Sequence, residues 1–468
     1  MSESFYWYDL ETSGTDPRWD RIVQFAGLRT NANLEPLGDE FVTDVALPDD
    51  VLPDPRATLI TGITPRRTHA GLSEWEAFRR IHAALMTPGT CAVGYNSLRF
   101  DDEFVRFGLF RHLRDPYARE FRNGNSRWDL IDLVRAAGAL RPEGINWPHD
   151  EDGWPVYRLE ELTKANNLQH ESAHDALSDV RATVALARLI RQAQPRLFDY
   201  YLGSRDKRAV RRLLEPYGQR VCVHVSGMYP KERYRVAPVL PICRHPVNAN
   251  SVIVADLASD IEGLVRGDEV ELRQALFTAG NPDRPPLKEV RTNRCPFIAD
   301  ISVLTPENLA RTGIDLKEVN QRRRRLAQPA VLQKIGRIFA EPRNGKAEDV
   351  EASLYDRFLQ DEDRSLCNDF VQEVEQGQWR VPPFRDARLP RLAMRIKARS
   401  FPELLDAAEQ AEWTAFVRDK LAATRVPWRT LTAFETELAA LRAEGVAPEL
   451  VAQLEAHGRE LRTRYGLV

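Results

Sequence analysis

Cysteine is scarce in this sequence: five residues, at 91, 222, 243, 295 and 367, odd in number and without a Cys-x-x-Cys pair. That scatter argues against a disulfide framework and a thiolate zinc centre, and it fits reduced thiols in the cytoplasm. Long apolar runs are missing as well. No stretch approaches the ~18 residues of a membrane-spanning helix, and Met1-Ser2-Glu3-Ser4 opens no signal peptide. A soluble, cytoplasmic protein with no membrane association is expected. Charge of one sign is not in excess either, since 66 Lys and Arg stand against 69 Asp and Glu for a net −3. The balance does not advertise a polyanion binder, yet a local basic groove binds phosphates on a protein of any net charge. There are no internal repeats or low-complexity tracts, and 43% of the residues are hydrophobic, which excludes disorder as the dominant state.

What is present is a chain of 468 residues, enough for about three domains. Residues 1–192 read as one α/β unit. Strands are expected at 5–10, 22–30 and 91–95, and helices at 75–86, 127–140 and 172–191. In the last of these Val180, Val184, Ala187 and Ile190 recur at helical spacing. Strands alternating with helices imply a sheet covered by helices. After Gln194-Pro195 a basic helix is expected at 205–214. Val221, Val223 and Val225 then alternate with Cys222, His224 and Ser226, the pattern of a half-buried strand. Further strands at 251–255 and around Cys295-Pro296 complete a small β-rich domain, 193–344. Residues 345–468 read as helical almost throughout, after a linker at Pro342-Arg343-Asn344-Gly345. Four arginines, Arg322 to Arg325, read as a solvated helix face.

The informative residues are four separated acids and one histidine. Asp9 and Glu11 are two apart on the first strand, so both carboxylates project from one face. They interrupt an apolar, aromatic run, where acids are costly unless a positive charge compensates them. The pair alone is weak evidence, because 101–103 and 349–351 also read Asp-x-Glu. The second element, Asn96-Ser-Leu-Arg-Phe-Asp101, follows a strand and opens a helix at 102–110. Adjacent aspartates allow Asp101 to face a site while Asp102 caps the helix. The third, His174-Asp-Ala-Leu-Ser-Asp179, starts the closing helix. A capping Asp175, an exposed His174 and an ordinary first-turn Asp179 explain it equally well in isolation. In order on these elements, the residue types have one chemistry in common. Carboxylate oxygens suit Mg²⁺ or Mn²⁺, and a pair of such ions clamps an in-line displacement at phosphorus. A histidine beside the attacking water serves as general base near neutral pH. The reading is metal-dependent phosphodiester hydrolysis.

This constellation resembles the DEDDh class of 3′→5′ exonucleases. Longer strings resemble one family within it, bacterial exodeoxyribonuclease I: Leu59-Ile-Thr-Gly-Ile-Thr-Pro65, Gly94-Tyr-Asn-Ser-Leu-Arg-Phe-Asp-Asp-Glu103, Arg127-Trp-Asp-Leu130, Leu140-Arg-Pro-Glu-Gly-Ile-Asn-Trp-Pro148, Arg158-Leu-Glu-Glu-Leu-Thr-Lys-Ala-Asn166, Gln194-Pro-Arg-Leu-Phe-Asp-Tyr200 and His224-Val-Ser-Gly-Met228. The resemblance implies an α/β nuclease domain with an RNase H-like mixed sheet and flanking helices (1–192). A small SH3-like β domain (193–344) and an all-α C-terminal domain (345–468) follow. It implies processive removal of nucleotides from the free 3′ end of single-stranded DNA, with release of 5′-mononucleotides. Asp9, Glu11, Asp101 and Asp179 would then hold two Mg²⁺ ions, with Mn²⁺ as substitute, and His174 would activate water. Asp101 is chosen over Asp102 because it directly follows Phe100. Glu11, Thr12 and Arg158 would touch the terminal nucleotide. Arg106, Tyr117, Phe121, Arg135, Arg141, Asp206 and Lys207 are candidate contacts to the strand. The family further implies a monomer, recruitment by single-stranded DNA-binding protein through its acidic C-terminal tail, and roles in DNA repair and recombination. An RNA-trimming or proofreading nuclease of the same class and a non-catalytic single-strand-binding or repair-scaffold protein are the alternatives. The long extension past residue 192 favours the DNA enzyme over the first, and the full set of acids and His174 favours it over the second.

Overall fold

The structure is a computed structural model and describes residues 3–168, 175–341, 345 and 347–467. Its contacts divide the chain into two units, 1–126 with 171–181 and 345–468, and 127–170 with 182–344.

In the first unit, β1 (Ser4–Thr12), β2 (Ile22–Thr30), β3 (Pro36–Asp44) and β4 (Thr90–Gly94) lie in the order β3-β2-β1-β4. β2 is antiparallel to both β1 and β3, and β4 is parallel to β1, so the sheet is mixed. Alternation along β1 decides what faces where. Tyr6, Tyr8 and Leu10 join Phe25, Phe78, Ile81, Phe104 and Leu109 in a core built with the helices Glu74–Met86 and Asp101–Arg111. Asp9 and Glu11, at the odd positions, therefore belong to the opposite face. The strand β3 was not foreseen. It is largely exposed, and its sequence PLGDEFVTD carries little alternation.

The C-terminal helices belong to this same unit. Phe370, Leu389, Leu392 and Ile396 pack with Trp75, Phe107 and Phe110. Helices Ala407–Ala422, Leu431–Glu444 and Pro448–Tyr465 enclose a further apolar cluster that takes in Leu52. Between the two clusters' chain segments runs a buried ion network. The Asp50 carboxylate receives Arg399 at 2.6 Å and Lys420 at 2.6 Å, and Glu351 receives Arg21 at 2.7 Å as well as Arg399.

The second unit opens with β5 (Ser126–Asp129). The helix expected over 127–140 is thus shorter than foreseen. Arg127-Trp128-Asp129 is extended, and the helix begins at Ile131, whose N–H donates to Asp129 Oδ1 at 3.0 Å. Next comes the basic helix Lys207–Leu214, then β6 (Cys222–Val225), β7 (Val236–Arg244), β8 (Ser251–Asp256), β9 (Leu287–Arg291) and β10 (Phe297–Asp300). They form an antiparallel sheet in the order β10-β6-β7-β8-β9. All of β6 is buried, not half of it, and Val210 and Leu214 of the basic helix pack with Cys222, Val239 and Val254 on one face. Three helices were missed here, Glu269–Phe277, Pro306–Thr312 and Pro329–Ile338; with Leu316–Leu326, which carries the four consecutive arginines, they make this region as helical as it is β. Of the four consecutive arginines, Arg322 donates to Leu257 O at 2.9 Å, Arg323 to Gln219 O at 3.5 Å and Arg325 to Glu262. Among the described residues no helix is long and apolar enough to cross a membrane.

Candidate metal centre and active site

Three of the predicted acids converge. Asp9 and Glu11 project from β1, where they oppose Ala26 and Gln24 of β2. Asp179 lies in the first turn of the helix Ala176–Ala193, which Asp175 caps by accepting from Ser178 N–H at 3.2 Å. One carboxylate oxygen from each of Asp9, Glu11 and Asp179 lies within 4.8 Å of the others. Crowding and burial make these groups hard to ionise together. Burial, then the charges of Asp101 and Asp179, hold the Asp9 carboxyl well above its usual range. Burial, then Asp9, Asp179 and Asp175, push Glu11 up to about 9, while Arg67 acts in the other direction. Anionic oxygens gathered so closely form a ligand set for a hard divalent cation, and the donor chemistry fits Mg²⁺ or Mn²⁺. Binding such an ion would release the protons these carboxyls retain.

The adjacent aspartates separate clearly. Asp101 is the first residue of the helix Asp101–Arg111, and its charge reaches Asp9. Asp102 is fully buried against Arg119 at 2.5 Å, with Arg106 at 3.5 Å. It does not cap the helix as expected: Phe100 holds the cap position without a side-chain bond, and Asp102 neutralises arginine instead. The turn that delivers Asp101 uses Asn96 at φ 62°, a left-handed conformation that asparagine tolerates well.

The remaining expectations are distributed unevenly. His174 lies outside the described residues. Thr12 is buried, and its hydroxyl donates to Gly14 O at 2.7 Å. Arg158 is exposed, belongs to the second unit and pairs with Glu161. Of the candidate strand contacts, Phe121 is 63% exposed and Tyr117 half-buried under the Arg106 guanidinium. Arg106 itself is 6% exposed and engaged by Glu103 at 3.0 Å and Glu120 at 2.7 Å. Arg135 pairs with Asp132 at 2.8 Å, and Arg141 donates to Val303 O at 3.0 Å and Asn308 at 3.2 Å. Asp206 is an N-cap, accepting from Arg208 N–H at 2.8 Å, and Lys207 stays exposed. Arg106, Arg141 and Asp206 are thus used by the fold, because each meets its partners inside the protein. Three residues around the acids were missed: Gln24, Asp44 and Arg67. The register of β1 with β2 sets Gln24 beside Glu11, that of β2 with β3 sets Asp44 beside Gln24, and neither register is local in sequence.

Three family sequence models match the chain: Exonuclease over residues 6–187, Exonuclease I SH3-like domain over 205–341, and Exonuclease I C-terminal domain over 348–461. The exodeoxyribonuclease I of Escherichia coli K12 is 43% identical over 424 residues, which is 88% of this chain and 89% of that protein. The crystal structure of the E. coli exonuclease I in complex with a dA16 oligonucleotide superposes with a TM-score of 0.92 at 39% identity, covering 99% of this chain and 100% of that one. A crystal structure described as single-stranded DNA-binding protein/exonuclease I with an inhibitor matches with a TM-score of 0.88 at 38% identity, covering 99% and 100%.

Proposed function

The chain belongs to the exodeoxyribonuclease I family, and we propose that it hydrolyses single-stranded DNA from the 3′ end at divalent cations held by Asp9, Glu11, Asp101 and Asp179. The observation that carries this reading is the convergence of Asp9, Glu11 and Asp179 within 4.8 Å, with the Asp9 and Glu11 carboxyls raised by burial first and by the neighbouring acids second. Two ions bound there would act as Lewis acids on the scissile phosphate and lower the pKa of the attacking water. His174, one residue before the cap of the Asp179 helix, would accept the proton of that water. Thr12 and Arg158 would hold the terminal nucleotide. Tyr117 and Phe121 offer rings for base stacking, and Arg135 and Lys207 offer cations for the backbone. A related exonuclease I crystallised with dA16 supports single-stranded DNA as the substrate, and another studied with single-stranded DNA-binding protein supports that partner. Recruitment through the partner's acidic tail, action in repair and recombination, and a monomeric, cytoplasmic enzyme complete the reading.

The test uses 3′- and 5′-labelled single-stranded DNA and RNA, each with Mg²⁺ or with chelator. Loss of the 3′ label from DNA first, only with metal, is the expected result. Undiminished digestion in chelator, degradation from 5′ ends alone, or faster digestion of RNA would overturn it.

A further inference from the structure

Three adjacent strands place one residue each in a single row on the face that carries the acids. Glu11 of β1 opposes Gln24 of β2, and Gln24 opposes Asp44 of β3. Directly opposed residues of antiparallel strands share a face and stand side by side. Gln24 is 3% exposed, and both ends of its amide are used. Nε2 donates to Asp44 Oδ1 at 3.0 Å, and Oε1 accepts from the backbone N–H of Ala176 at 3.2 Å. Asp44 is fixed from its other side by Arg67, which donates at 2.8 Å and 3.0 Å. Ala176 is the first residue of the helix whose first turn carries Asp179.

The chemistry of the two partners, Asp44 and Ala176, leaves little choice of residue. A carboxylate only accepts and a backbone N–H only donates, so the residue between them must donate one way and accept the other. An amide does both without charge. Glutamate here would set a third carboxylate between Glu11 and Asp44, and lysine could not accept from Ala176. The same logic fixes which end of the amide is oxygen.

We propose that Gln24 is a positioning residue that pins the start of the Asp179 helix to the sheet and thereby sets the separation between Asp179 and the Asp9–Glu11 pair. This rests on the reading of those three acids as cation ligands. Hard-cation sites tolerate only small errors in ligand placement. Groups that hold ligands in place are commonly worth about 10–100-fold in metal affinity or activity.

Gln24→Met keeps the length of the side chain and removes both bonds. The full-length protein, stripped of metal, is titrated with Mn²⁺ in a calorimeter without DNA. Amide hydrogen exchange of residues 176–181 is read on the same samples, and kcat and KM on single-stranded DNA are measured separately. Expected are Mn²⁺ affinity lower by about 10-fold or more, faster exchange at Ala176 to Asp179, and a fall in kcat at saturating metal with KM for DNA within about twofold. Mn²⁺ affinity within twofold of the parent overturns the inference, whatever the exchange shows. Asp179→Asn separates the two levels of the argument. If it binds Mn²⁺ like the parent, the metal-site reading has failed. If it loses Mn²⁺ while Gln24→Met does not, only the positioning role has failed. Should Gln24→Met not fold, Ala176→Pro removes the N–H alone at a helix position where proline is well accepted, and the same affinity criterion decides.

Discussion

At Asp101 and Asp102 neighbouring residues of one type carry opposite duties, and the surroundings assign them. Asp101 sits at a helix start, where its charge raises the Asp9 carboxyl; Asp102 is sealed against Arg119 with neither group exposed. An acid that repels its neighbours costs stability and gains it back only from a cation, whereas an acid paired with arginine costs stability when removed. Asp101→Asn should therefore lower nuclease activity by orders of magnitude while leaving the melting temperature unchanged or slightly higher. Asp102→Asn should do the reverse in kind. It leaves a buried guanidinium short of charge, a change typically costing about 3–5 kcal/mol, and activity per folded molecule should fall far less. Thermal denaturation beside single-turnover assays checks both. Equal loss of stability in the two variants would mean that the assignment is mistaken.

Elements differ in how much of themselves they write into local sequence. β1 was legible because its acids stand at period-two positions in an otherwise aromatic run, and the Asp179 helix because Val180, Val184, Ala187 and Ile190 mark its buried stripe. The four-residue β5 was absorbed into a helical reading, since Trp128 and the apolar face of Ile131–Leu140 merge in one periodic pattern. β3 left almost no trace because most of it is exposed, and with it the row from Glu11 to Asp44 stayed hidden. Such a row depends on the register of three strands, a non-local property. The basic helix Lys207–Leu214 is the converse case, legible in place. Val210 and Leu214 are buried, Arg211 donates to Ala249 O at 2.6 Å, and Arg208 and Arg212 remain exposed. If this face meets the DNA backbone, Arg208→Ala with Arg212→Ala should weaken binding and reduce the slope of log K against log salt by about 1.4, two single-strand phosphate contacts at ~0.7 each. The cap at Asp206 and the apolar face are untouched, so the fold should hold. An unchanged salt slope would remove this helix from the DNA-binding surface.

The chain's last third is joined to its first by charge as well as by apolar packing. Asp50, Glu351, Arg21, Arg399 and Lys420 come from segments hundreds of residues apart and are buried together. Burial alone would raise the Asp50 and Glu351 carboxyls. Arg399 and Lys420 around the first, and Arg399, Arg21 and Arg395 around the second, hold both below the carboxylate range instead. A carboxyl depressed in the folded state binds its proton more readily when unfolded. Its contribution to stability is present above the unfolded value, 4.5 for glutamate, and is lost as pH falls through the folded one. Acid should therefore loosen the first unit through these residues. The acids of the metal centre work the other way: Asp9 and Glu11 resist ionisation, so without metal they cost stability as pH rises. Glu351→Gln keeps the shape and removes the charge that Arg21, Arg395 and Arg399 share. It should destabilise the protein by about 3–5 kcal/mol at pH 7, and by progressively less as pH falls below about 4.5, where the unfolded parent takes up a proton that the folded parent still excludes. Denaturant unfolding of parent and variant from pH 7 down to pH 3 gives both numbers. A variant as stable as the parent at pH 7, with a parallel decline in acid, would show that apolar packing of Phe370, Leu389 and Ile396 joins the two segments without help from the ion network.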